Sequence, residues 1–153
     1  MNFYGLPTLL VILMLSGVPA AAQNDVRFER SSLEIETANG VHEFDVELAI
    51  SSEQRARGLM FRHEMAPDAG MLFLYRSDRV LNMWMANTNL PLDMLFIEAG
   101  GRIIRIQENT IPLSRTTISS RKRARAVLEL NAGTVRRLGI KPGDRVIHER
   151  LNK

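Results

Sequence analysis

The sequence contains no cysteine. That excludes disulfides, thiolate nucleophiles, thiolate metal sites and a lipid-modified cysteine at the head of an exported chain. Histidine is scarce: His42, His63 and His148 are scattered, with no pair at the close spacing that holds zinc. There is no G-x-S-x-G elbow, no H-E-x-x-H helix and no phosphate-cradling glycine loop. No segment has the length and period of a long amphipathic helix. Nothing calls for a cofactor, and the only tryptophan is Trp84.

What is present begins with a leader. Residues 6–23, "LPTLLVILMLSGVPAAAQ", form an uncharged apolar run that ends in Ala20-Ala21-Ala22 before Gln23. This is the layout of a secretory signal peptide over residues 1–22, although the preceding "MNFYG" has no Lys or Arg. Pro7 and Pro19 interrupt the run, and it falls short of the ~20 residues of a spanning helix. The expectation is cleavage near Ala22 and a mature chain without a transmembrane span, periplasmic or secreted. At 153 residues in all, one domain is expected, able to bury a core without disulfide staples.

Charge is divided between the halves. Residues 23–98 carry 7 Lys+Arg against 13 Asp+Glu, and residues 99–153 carry 13 against 4. The basic half favours anionic partners. Its densest part is Arg121, Lys122, Arg123 and Arg125, which reads as a solvated loop ahead of a strand. In an exported protein such a loop would meet anionic lipid or an acidic protein rather than nucleic acid.

Short apolar segments alternate with turn signals. Residues 23–32 are polar and aperiodic, a tail. "LEIET" and "HEFDVELAI" flank Asn39-Gly40, a hairpin signal. Ser51 with Gln54 three residues on forms a capping box for about two turns of helix, and Gly58 closes it. "MLFLY", "VLNMWMA", "DMLFIEA" and "RIIRIQE" read as strands, the last two joined by Ala99-Gly100-Gly101. After a looser stretch, "ARAVLEL" resumes strand character, 131–139 is a short helix, and "RVIHER" is the last strand. About eight short strands with two short helices predict a mainly β fold, a single antiparallel β-sandwich or barrel-like domain over residues 33–150. Strands this apolar require cover on both faces.

Three sites are compatible with these residues. The first is the corner "NMWMANTNLPLD", residues 82–93. There Trp84 offers a flat apolar wall, and Asn87, Thr88 and Asp93 offer directed hydrogen bonds; this is the make-up of a small-ligand pocket and equally of a capped turn. The second is Met83 with Met85, which would share one strand face and could hold Cu(I) through two thioethers. Methionine is also an ordinary core filler, and Met60, Met71 and Met94 sit inside apolar runs. The third is a carboxylate-dependent hydrolase, which needs two of Asp93, Glu98 and Glu108 in one cleft.

The order of motifs resembles a known family. Residues 53–62, "EQRARGLMFR", are followed by Gly70-Met71-Leu72-Phe73, Trp84-Met85-Ala86-Asn87-Thr88 and Pro91-Leu92-Asp93-Met94, then "VLELNAG" and "LGIKPGDRV". This pattern, from Val46 to Val146, is similar to the domain of unknown function (DUF) family 192, whose members often follow a signal peptide. The resemblance implies a compact, mostly β domain and no established activity, so it implies no catalytic residues. It marks Arg57, Gly58, Met60, Arg62, Trp84, Asn87, Thr88, Pro91 and Asp93 as signature positions. Ala86 stands where the family usually has a basic residue. Together with the corner, Arg57 and Arg62 complete the candidate ligand site of a non-enzymatic exported module for a small polar ligand or envelope component. One of the two arginines is expected to ion-pair with Asp93 or Glu53.

Overall fold

A computed structural model of the chain describes Met1 and residues 26–151. The leader beyond Met1, and the tail as far as residue 25, lie outside the described residues. β1 (Glu29–Thr37) and β2 (Gly40–Ala49) form the expected hairpin, with Thr37 opposite Gly40 across Ala38-Asn39. β1 begins at Glu29, so residues 29–32 belong to a strand and not to the tail. Their backbone pairs with residues 45–48, and a strand end at a sheet margin tolerates polar side chains.

Seven strands make one curled sheet in the order β5-β4-β6-β3-β2-β1-β7. β3 (Ala69–Met83), β4 (Leu92–Ile97), β5 (Ile103–Gln107), β6 (Ile118–Asn131) and β7 (Arg145–Ile147) complete it. β2 and β3 pair in parallel, unlike every other neighbour in the sheet. Parallel pairing needs a crossover, supplied by α1 (Ser52–Arg57) and the chain that follows it. The two ends of the sheet approach each other: Arg102 bridges Arg145, and the Val146 N–H donates to the Gly101 carbonyl at 2.8 Å. This is the barrel-like alternative, and it protects the sheet edges.

"MLFLY" and "VLNM" are one strand. β3 runs unbroken beside β6, with register shifts between Leu74 and Arg79 and between Val80 and Asn82. The polar interruption at residues 76–78 is absorbed as a bulge. For the same reason the basic run lies within β6, where Arg121 takes φ 60°. α2 (Thr134–Leu138) is shorter than expected.

Strand alternation builds two cores. Leu33, Ile35, Phe44, Leu48, Leu72 and Leu128 fill the concave side. Met71, Phe73, Leu92, Met94, Phe96 and Val127 project from the opposite side and pack with Leu59, Leu81 and Met85. That second face is covered by the end of α1 and the loops beyond it, so the expectation of cover on both faces is met. The capping box of α1 is complete: Ser51 accepts from the Gln54 N–H, and the Gln54 side chain accepts from the Ser51 N–H. Gly58 ends the helix at φ 47°, ψ −140°, a conformation suited to glycine. Among the described residues no helix is long and apolar enough to cross a membrane.

Candidate functional site

The residues singled out from sequence separate into three places. Asp93 is fully buried and saturated: Oδ1 accepts from the Asn109 N–H at 2.9 Å and Oδ2 from the Val135 N–H at 3.0 Å. It fixes the first turn of α2, which has no side-chain cap of its own, and is therefore no part of a pocket lip. Arg62 pairs with Glu47 at 2.5 Å and lies 5.8 Å from the Phe28 ring centroid. Both line a polar groove of about 830 Å³ beside Asp45, Glu64 and Asp68. Arg57 stacks instead on Phe61, 4.8 Å from its centroid. The expected pairing of an arginine with Asp93 or Glu53 does not form.

The copper reading loses its geometry. β3 ends at Met83, Met85 is fully buried, and Met83 receives the Tyr75 hydroxyl at 3.7 Å. No exposed point is shared by the two thioethers. The paired acids fail likewise: Glu98 is held by Arg102 at 2.6 and 3.1 Å, and Asp93 serves α2.

Trp84, Thr88 and Arg57 do come together, around a cavity of about 190 Å³. Its other walls include Arg55, Tyr75, Met60 and Met83, and Glu129 lines it as well. Glu129 follows from strand geometry. On β6 it alternates with Leu128 and Leu130, which face the concave core, so its side chain stands on the second face. Its cross-strand neighbours are Met71 on β3 and Met94 on β4, both fully buried. The residue is 4% exposed. Among the described residues its carboxyl has no hydrogen-bond or ion-pair partner, and what surface it keeps is turned to the cavity. Burial alone pushes this carboxyl from its ordinary 4.5 up to about 8. Such a group, buried in a cleft and unpaired, is a candidate functional position.

The other charges around the cavity are positive. Arg55 donates to the Ile50 and Leu74 carbonyls and stacks on Tyr75 at 4.9 Å; Arg79 stacks on the same ring at 4.9 Å. Burial, opposed by these two cations, raises the Tyr75 phenol. Thr88 is buried, and its hydroxyl donates to the Ala86 carbonyl at 3.3 Å. Asn87 is exposed; its Nδ2 donates to the Met60 thioether at 3.9 Å. The rim is strained. Phe61, Asn87 and Leu113 all adopt left-handed backbone, at φ 65°, 57° and 62°. Their loops are tied by Phe61 N–H to Asn87 carbonyl at 2.8 Å and Leu113 N–H to Thr88 carbonyl at 3.0 Å. Asn tolerates this region, whereas Phe and Leu adopt it at a cost of about 1–2 kcal/mol each. Both of these side chains stay exposed, as does Trp84 at 59%.

Sequence reasoning missed Glu129, Arg55 and Tyr75. The signal for Glu129 was available, since an acid inside an apolar strand covered on both faces has nowhere to reach solvent.

A curled, mainly β half-barrel with a carboxyl-lined cavity on its covered face is thus the class of protein defined by fold and site. The chain belongs to the family DUF192 (Uncharacterized ACR), whose model matches residues 34–148. It is similar to a crystal structure from Sinorhizobium meliloti 1021 described as a "putative transcription regulator": 51% identity, 80% of this chain and 96% of that one covered, TM-score 0.78. A protein of unknown function from Novosphingobium aromaticivorans DSM 12444 is 36% identical, over 87% of this chain and 94% of that one, with TM-score 0.78. No curated protein matches the chain.

Proposed function

We propose that this chain is a non-enzymatic binding module, exported to the periplasm or beyond, that holds a small ligand in the cavity beneath Trp84. Glu129 is its hydrogen-bonding anchor. The observation that carries the reading is that carboxyl: 4% exposed, unpaired and turned to a cavity. A buried carboxyl without a partner costs stability, and a ligand donor or acceptor would offset that cost when bound. Aromatic and thioether walls with few polar groups suit small-molecule recognition. Export is supported by the leader pattern over residues 1–22.

The cavity supplies one carboxyl and no second acid among its lining residues, which argues against two-carboxylate hydrolysis. The regulator description attaches to the S. meliloti protein. Here α1 and α2 have 6 and 5 residues, too short for a recognition helix laid in a major groove. Arg121 and Lys122 are exposed and unpaired among the described residues, while Arg125 pairs with Asp78 at 2.6 Å. Arg123 donates to the Asp78 carbonyl at 2.6 Å, which leaves Arg121 and Lys122 as the two free cations of the run for an anionic envelope surface.

The test is a thermal-shift screen of the full chain against sugars, peptidoglycan fragments, amino acids and anionic lipids, run beside Trp84→Ala and Glu129→Gln. A ligand of the native state raises the melting point by mass action. The expected result is a shift that Trp84→Ala removes while the variant stays folded. A shift indifferent to both substitutions would place binding elsewhere and refute the reading.

A further inference from the structure

We propose that the cavity takes a small organic anion, a carboxylate on a flat or apolar body, with its charge at Arg57 and its face against Trp84. This rests on the pocket reading above and names the ligand class. The balance of charge around the cavity favours an anion. The charged residues that line the cavity are Arg55, Arg57 and Glu129, and Arg79 adds a third guanidinium stacked on the Tyr75 ring. A cationic ligand entering past Trp84 would meet these guanidiniums as like charges.

The arginines are not equivalent. Arg55 spends donors on the carbonyls of Ile50 and Leu74, so it contributes field rather than a binding fork. Arg57 uses only the face of its guanidinium, stacked on Phe61. Among the described residues its in-plane N–H groups have no acceptor, and that fork matches the two oxygens of a carboxylate. Phe61 is itself held by its left-handed backbone and its bond to Asn87, so it positions Arg57 at the mouth.

Glu129 supports the same ligand. Around the cavity with it stand Tyr75 from β3 and Arg55 and Arg57 from α1, and its cross-strand neighbours are the apolar Met71 on β3 and Met94 on β4. Burial keeps the carboxyl protonated at neutral pH. In that form it donates an O–H to an anion's oxygen. Once ionised it repels the anion, so affinity falls as pH rises through about 8.

The experiment uses Trp84, the only tryptophan, as its own reporter. Its fluorescence in the full chain is titrated with benzoate, benzamide and benzylamine, three probes of nearly one shape and different charge. Benzoate is expected to bind about tenfold more tightly than either, the worth of a charge-assisted bond. Arg57→Met should remove that advantage. Glu129→Gln should keep benzoate binding at pH 7 and abolish its loss toward pH 9. Tightest binding by benzylamine or benzamide overturns the anion class and leaves the pocket reading standing. Quenching by none of the three also overturns it, and the pocket reading is then decided by the sugar and amino-acid arms of the screen. Benzoate binding unchanged in Arg57→Met overturns the role of that residue.

Discussion

Glu129→Gln should make the protein more stable, and more so the higher the pH. The carboxyl is neutral in the folded chain up to about 8 and neutral in the unfolded chain only up to about 4.5. Between those values the native state binds the extra proton, so stability falls as pH rises through the window and levels off above it. Each pH unit inside the window is worth about 1.4 kcal/mol. From pH 5 to pH 7 the wild type therefore loses about 3 kcal/mol through this one group, on the order of 10 °C in Tm for a domain of this size. Glutamine keeps the shape and the hydrogen-bonding capacity but has no proton to lose. Melting curves of both proteins, followed by circular dichroism at pH 5, 6, 7 and 8, isolate the effect because every other titration is common to the two. The Tm gap in favour of Glu129→Gln should widen steadily across the series. A gap that stays constant with pH would mean the carboxyl ionises as freely in the fold as outside it, and the argument from its burial would be wrong.

Three further outcomes follow from the geometry. Asp93→Ala leaves the buried N–H of Val135 and the part-buried N–H of Asn109 without acceptors, which should cost about 2–4 kcal/mol in urea unfolding; a loss below about 1 kcal/mol would show that water replaces the carboxylate. Gly58→Ala places a Cβ 3.1 Å from the Phe73 ring at φ 47°, so about 1–3 kcal/mol should be lost and the cavity wall crowded; an unchanged unfolding midpoint would contradict this. Association with anionic-lipid vesicles through Arg121 and Lys122 should weaken steeply with added salt, and co-sedimentation that ignores salt would exclude it.

Much of the fold was legible because its signals are local. Asn39-Gly40 makes a hairpin wherever it falls between alternating strands, and Ser51 with Gln54 starts a helix by satisfying its own end groups. Other features depend on distant partners. The parallel pairing of β2 with β3 was invisible because α1, at 6 residues, does not announce a crossover. The break at residues 76–78 looked like the end of a strand, yet β6 continues alongside it and turns it into a bulge. Asp93 carried the marks of a binding residue, a buried-corner acid beside Asn and Pro. Its use was decided by α2, which begins without a cap and borrows one from forty residues away.

Glu129 was hidden by the rule that usually works. In "RARAVLELN" the small and aliphatic residues Ala124, Ala126, Leu128 and Leu130 alternate with Arg123, Arg125, Val127, Glu129 and Asn131, and the second set reads as the solvent face. It begins as one: Arg123 is exposed and Arg125 half-buried. Two residues further on, the same face passes under the end of α1 and the loop that carries Trp84, and Val127 and Glu129 are sealed. The change from surface to interior happens within one strand, and the pattern of residue types from Arg125 to Leu130 does not mark it. Only the requirement that apolar "MLFLY" and "DMLFI" be covered on both sides predicts it. Applied to their shared neighbour β6, that requirement places a carboxyl between Met71 and Met94, where a leucine would pack better. That a Glu stands there, beside an open cavity and arginines that do not neutralise it, is the argument for a ligand.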